Sequence, residues 1–165
     1  MQAEGDTSAE AADKAMNELR LFRITAATLH RLPMNQLRDN DRCYVCGKRN
    51  PAGLKVDFAI NREERSIKAA FTPSDIHQGY EGIVHGGILS ALLDEAMVKL
   101  AFNLGIPAVT AEISVKFKAP AAPGSELVIA GKITSESKRL LLAEAKIERG
   151  TSIIAEAKGK LLRKN

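Results

Sequence analysis

One stretch limits the possible folds more than any other: the apolar run from Gly86 to Leu104, entered through Gly79-Tyr80-Glu81-Gly82-Ile83-Val84-His85. Ile88, Leu89, Ala91, Leu92, Leu93, Ala96, Met97, Leu100 and Ala101 cover most of a helix circumference, and a helix apolar nearly all round is a buried one. Gly105, with Pro107 just beyond, closes it. At 1.5 Å per residue this helix is roughly 28 Å long. A helix of that length needs a sheet to cover it.

The remaining chain supplies strands. Leu54, Val56, Phe58 and Ile60 alternate with polar or small residues, and after the charged turn Arg62 to Arg65, Ile67, Ala69 and Phe71 do the same, which predicts a hairpin. Pro73 to Tyr80 reads as a loop. Val109 to Phe117 gives the cleanest alternation, broken by Pro120 and Pro123-Gly124. Leu127 to about Ser135, Leu140 to Glu148 and Ser152 to Leu162 follow. Short turns between the late strands predict antiparallel pairing. The order β-β-α-β-β-β-β predicts an α+β fold, an antiparallel sheet wrapped around one long central helix.

Residues 1 to about 12 are small, polar and acidic, which predicts disorder. From Ala12 to Leu32, Met16, Leu19, Phe22, Ala26 and Leu29 share one face, and Pro33 ends the pattern. This predicts an extra N-terminal helix packed on the main body; a membrane-surface helix using Arg20, Arg23 and Arg31 is the alternative.

The chain has 165 residues, enough for one domain with a core that needs neither disulfides nor metals. A net charge of +4 is compatible with an anionic ligand and too scattered for nucleic acid, and 4% aromatic content without Trp gives no stacking platform. No apolar run reaches bilayer length, which argues against membrane insertion. The acidic N-terminus is not a secretory signal, and two cysteines fit the reducing cytoplasm.

Nucleophile-elbow, phosphate-loop, dinucleotide and zinc-protease signatures are absent. Cys43 and Cys46 have metal-ligand spacing but no second pair, so they are read as a turn with two small semi-buried residues, with no metal and no cofactor. His85-Gly86-Gly87 brings backbone amides to a helix N-terminus, which suits an anion or a carbonyl oxygen that becomes one. Asp94 sits among Leu92, Leu93 and Ala96, where a carboxylate is costly unless paired, which points to a chemical role; the alternative is an Asp that reaches solvent or pairs with Lys99 or a strand residue. Glu95 and Lys99 have the spacing of an i, i+4 ion pair. Asp94 follows Gly86 by eight residues, roughly 12 Å along the axis. One substrate carbonyl cannot touch both on one helix. Either they do different jobs, or two helices meet across a two-fold axis.

These residues resemble the hotdog-fold acyl-CoA thioesterases of the PaaI-like group. The resemblance rests on Gly79 to Val84, on His85-Gly86-Gly87 followed by Leu92-Leu93-Asp94-Glu95-Ala96, and on Cys43-Tyr44-Val45-Cys46-Gly47 with Asn50-Pro51 and Gly53-Leu54. Val115-Lys116-Phe117-Lys118-Ala119-Pro120 adds to it. It implies a hotdog domain over 41–165 behind an N-terminal extension over 1–40, and a homodimer or homotetramer with sites at the interface. It implies acyl-CoA hydrolysis, with Gly86 N–H binding the thioester carbonyl, Asp94 of the partner subunit as general base or nucleophile, and Thr110 orienting water. Some members carry Asn or Gln where this chain has Gly79; Gln78 or His77 is the expected substitute. His85 and Gly87 shape the site, and Lys116 and Lys118, with Lys138 and Arg139, are candidates for the CoA phosphates. The alternatives are a non-catalytic acyl-thioester-binding module and a hotdog dehydratase pairing His85 with Asp94 across subunits.

Overall fold

The computed structural model describes residues 37–164. The helix expected over 12–32 and the disorder expected over the first dozen residues fall outside the described residues. Helix α1 spans Gly86–Asn103, one residue shorter at its end than the pattern predicts. Its end is a Schellman motif: Gly105 takes φ +77°, its N–H donates to Phe102 O at 3.0 Å, and Ile106 N–H reaches Ala101 O at 2.9 Å.

Six strands form one antiparallel sheet. They are β1 (Ala59–Asn61), β2 (Ser66–Phe71), β5 (Ala108–Phe117), β6 (Leu127–Glu136), β7 (Leu140–Arg149) and β8 (Ser152–Arg163), in the spatial order β1-β2-β6-β7-β8-β5. Two short strands, β3 (Gln78–Tyr80) and β4 (Ile83–Val84), make a separate hairpin leading into α1. This hairpin occupies part of the stretch read as loop. The first predicted strand is shorter than its alternation suggests. Val56 is buried and Leu54 and Phe58 half-buried, but Lys55 takes φ +56°, which a ladder does not admit. Leu54 and Val56 instead donate to the carbonyls of Tyr44 and Val45.

The sheet wraps α1. Ile67, Ala69 and Phe71 of β2, Leu127 and Ile129 of β6, Leu141, Ala143, Ala145 and Ile147 of β7, and Ile154, Ala155, Ala157 and Leu161 of β8 are buried with Leu92, Leu93, Ala96, Met97 and Leu100 of α1. Each fully buried Leu or Met contributes about 1.5–3 kcal/mol. Small residues set how closely the helix approaches. A Cβ on Gly159 would lie 2.8 Å from Met97 Sδ, and one on Gly131 would lie 3.4 Å from Ala96 Cβ. The two ends of α1 thus lie at fixed heights over the sheet, and β5, at the sheet edge, passes beside both Gly86 and Asp94.

Candidate active site

The segment entering α1 is tied down at several points. Val84 N–H donates to Ala121 O at 2.9 Å, and His85 N–H donates to His77 O at 2.8 Å. Gly82, at φ +72°, turns the β3–β4 hairpin, and its N–H donates to the Gln78 side-chain oxygen. Gln78 Nε2 reaches Asp75 O at 3.1 Å. His77 Nδ1 accepts the Ser74 N–H at 2.9 Å, and its ring lies 5.5 Å from that of Phe71. Both side chains proposed to stand in for an amide at position 79 are therefore engaged within their own loop. Position 79 itself has little room, since a Cβ there would lie 3.0 Å from His85 Cδ2.

His85 is the N-cap of α1, and its Nδ1 accepts the Gly87 N–H at 2.8 Å. In the neutral ring that bond puts the proton on Nε2. Gly87 is needed there, because a Cβ would lie 2.9 Å from His85 Nδ1. The imidazole thus consumes one of the first amides of the helix and leaves Gly86 N–H without a hydrogen-bond acceptor among the described residues. Phe117 of β5 lies over this point; a Cβ on Gly86 would meet its Cζ at 3.3 Å.

Asp94, half-buried, faces β5. Thr110 Oγ1 donates to Asp94 Oδ1 at 2.6 Å, in the range of hydroxyl–carboxylate bonds. The β5–β8 register shifts between Thr110 and Glu112, a bulge that re-aims the strand where it meets the carboxylate. The structure therefore brings Asp94 and Thr110 together and keeps both apart from His85, Gly86 and Gly87, which cluster at the other end of the helix. Lys116 is exposed and alternates with Phe117, on the outer face of the sheet. Lys118 is paired with Glu156 at 3.0 Å. Lys138 and Arg139 are exposed in the β6–β7 turn. A hollow of about 1200 Å³ lies on the outer sheet face between Lys68, Lys132, Glu144 and Lys158, and neither Gly86 nor Asp94 lines it.

A second polar cluster lies one residue along from Asp94. Lys99 does not pair with Glu95 as its spacing suggests; its Nζ lies 2.7 Å from Asp39 Oδ2. Burial opposes the charge, but the bond to Asp39 and the proximity of Cys46 hold the ammonium up at about 12. Asp39 is correspondingly held below the usual carboxylate range by Lys99. Glu95 instead accepts from the Cys43 thiol at 3.3 Å. Burial first, then the hydrogen bond and charge of Glu95, push the Cys46 thiol up to about 12. Sequence reasoning missed this contact because it links residues 52 positions apart.

Comparison with known proteins agrees with this architecture. Residues 81–155 match the family model of the thioesterase superfamily. An uncharacterised mitochondrial protein of Candida albicans is 35% identical over 103 residues, covering 59% of this chain and 46% of that protein. The mouse acyl-coenzyme A thioesterase THEM5 is 31% identical over 77 residues, covering 47% of this chain and 31% of its own length. The chain spans less than half the length of either relative. Among solved structures, the Escherichia coli PaaI protein of the phenylacetic acid degradation operon superposes with a TM-score of 0.63 at 21% identity, over 68% of this chain and 81% of that one. The fold is the hotdog fold. Among the described residues no helix is long and apolar enough to cross a membrane.

Proposed function

We propose that the chain belongs to the thioesterase superfamily, whose family model matches residues 81–155, and that it hydrolyses acyl-CoA thioesters to the free acid and CoA. The observation that carries the reading is the Thr110–Asp94 hydrogen bond of 2.6 Å, which holds a half-buried carboxylate in one orientation beside a strand bulge. Asp94 takes a proton from water, and the hydroxide attacks the thioester carbonyl carbon. Gly86 N–H, at the positive end of α1, binds the oxyanion that develops. Collapse breaks the C–S bond, and the proton held on Asp94 goes to the departing CoA sulfur. In the variant with Asp94 as nucleophile, the carboxylate attacks first and water hydrolyses the resulting anhydride.

The separation of roughly 12 Å along α1 between Gly86 and Asp94 supports a site shared by two copies of the chain, Gly86 from one and Asp94 from the other. A further support is β5, a ten-residue strand at the sheet edge whose terminal Phe117 is 53% exposed. Long exposed edges seldom stay unpaired. Two free cysteines fit a reducing compartment, and the cytoplasm is the proposed one.

The dehydratase alternative is disfavoured by His85. That chemistry needs an imidazole base, and His85 already spends its Nδ1 lone pair on Gly87. The test is thiol release from a panel of acyl-CoAs, with Asp94→Ala and Asp94→Asn beside wild type. Both variants are expected to lose at least about 100-fold in kcat. Absence of hydrolysis on every chain length would favour the non-catalytic binding module, and undiminished rates in the variants would refute the role of Asp94.

A further inference from the structure

Cys43, Cys46 and Glu95 each offer a ligand atom, and the three atoms lie within 4.8 Å of one another. Three points no farther apart than that lie within about 2.8 Å of a common centre (4.8 divided by √3), close to the 2.0–2.3 Å that zinc takes from oxygen and sulfur. A small contraction of side chains suffices.

The loop is built to hold the sulfurs. Val45 N–H donates to Cys43 Sγ at 3.4 Å, and Gly47 N–H donates to Cys43 O at 3.0 Å. Gly47 cannot be replaced: a Cβ there would stand 2.5 Å from Cys43 N. Asn50 N–H then caps Gly47 O at 3.2 Å, and Asn50 Nδ2 holds Arg42 O at 3.1 Å. An amide pointed at a sulfur stabilises the thiolate that a metal requires. Glu95 comes from α1, which the core fixes independently.

We propose that Cys43, Cys46 and Glu95 bind a zinc ion, with water in the fourth tetrahedral position. Sulfur-rich donor sets select thiophilic ions over magnesium or calcium. The ion replaces the two thiol protons, which pass to solvent, and clamps the 39–47 loop to α1 one residue from Asp94. This site does not depend on the proposed hydrolysis. The third donor comes from α1 and not from a second C-x-x-C pair.

The test uses the full chain without an affinity tag, reduced, with both thiols titrated, incubated with Zn²⁺ and desalted into metal-free buffer. Metal analysis is expected to give about one zinc per chain in wild type and under a tenth of that in Cys43→Ser and Cys46→Ser. Co²⁺ added to reduced wild type is expected to give a sulfur-to-cobalt charge-transfer band with tetrahedral visible bands. Glu95→Gln keeps both thiols and the fold, and is expected to weaken zinc binding about 10- to 100-fold while altering the visible cobalt bands. Zinc is also expected to raise the wild-type Tm and leave that of Cys43→Ser unmoved. Wild-type zinc no higher than in the serine variants, or cobalt bands lacking the sulfur transition, would overturn the site. Cobalt bands unaffected by Glu95→Gln would remove Glu95 from it.

Discussion

Replacing Thr110 by Val tests how much the proposed hydrolysis depends on holding Asp94 still. Val keeps the β-branched shape in β5 and removes only the hydroxyl that donates to Asp94 Oδ1 at 2.6 Å. A hydrogen bond to a charged group contributes about 1.5–3 kcal/mol. At 1.36 kcal/mol per tenfold in rate, full expression of that bond in the transition state corresponds to about 10- to 100-fold in kcat. KM is expected to stay within about twofold, since the substitution removes only the hydroxyl bonded to Asp94. Thr110→Ser, which keeps the hydroxyl, should recover most of the loss. The assay is thiol release at saturating acyl-CoA, with urea midpoints to verify that each variant is folded. Adding Thr110→Val to Asp94→Asn should cost nothing further, because the two groups act as one unit. A kcat for Thr110→Val within twofold of wild type, or a Ser variant no better than Val, would refute the coupling.

Two predictions concern stability. Gly159→Val is expected to cost about 1–3 kcal/mol, because its Cβ would lie 2.8 Å from the side chain of fully buried Met97; Met97→Ala in the same chain should return part of it, read as urea midpoints. Glu136 is held below the usual carboxylate range first by its bond to Arg65 at 2.6 Å, with Arg163 at 2.7 Å adding to it. Its folded value is depressed, so the stability it adds is present above the usual glutamate range and is lost as pH falls through the folded value. Glu136→Gln should therefore cost up to about 0.5–1 kcal/mol at neutral pH and nothing measurable near about pH 2; an equal cost at both refutes the ion-pair origin.

What was legible in the sequence follows the range of the forces involved. Period-two burial in β5 to β8 and the all-round apolarity of α1 are local patterns, and the structure reproduces them to within a residue or so at most ends. The β3–β4 hairpin escaped because two or three residues carry no period. The alternation from Leu54 to Phe58 was read correctly as burial and wrongly as a ladder, since one left-handed residue, Lys55, diverts the backbone to Tyr44 and Val45. At the site, a half-buried carboxylate at Asp94 was legible from an acidic residue in an apolar helix. That Thr110 reaches it depends on the bulge between Thr110 and Glu112, which no local pattern marks. Glu95 was assigned to Lys99 by helix spacing, and non-local partners on both residues prevailed.

The shared site is the central claim, and complementation tests it most directly. Gly86→Pro deletes the N–H proposed to bind the oxyanion, at a helix position that accepts proline, and His85, at φ −61° and ψ 131°, already has the backbone that precedes one. Asp94→Ala deletes the carboxylate in a second copy. Each variant alone is expected to be inactive on acyl-CoA. Co-expressed in equal amounts, half the dimers are mixed, and each mixed dimer holds one intact site of two, so activity should return to about a quarter of wild type. No recovery from a verified mixed dimer would contradict the account and place the reaction within a single chain.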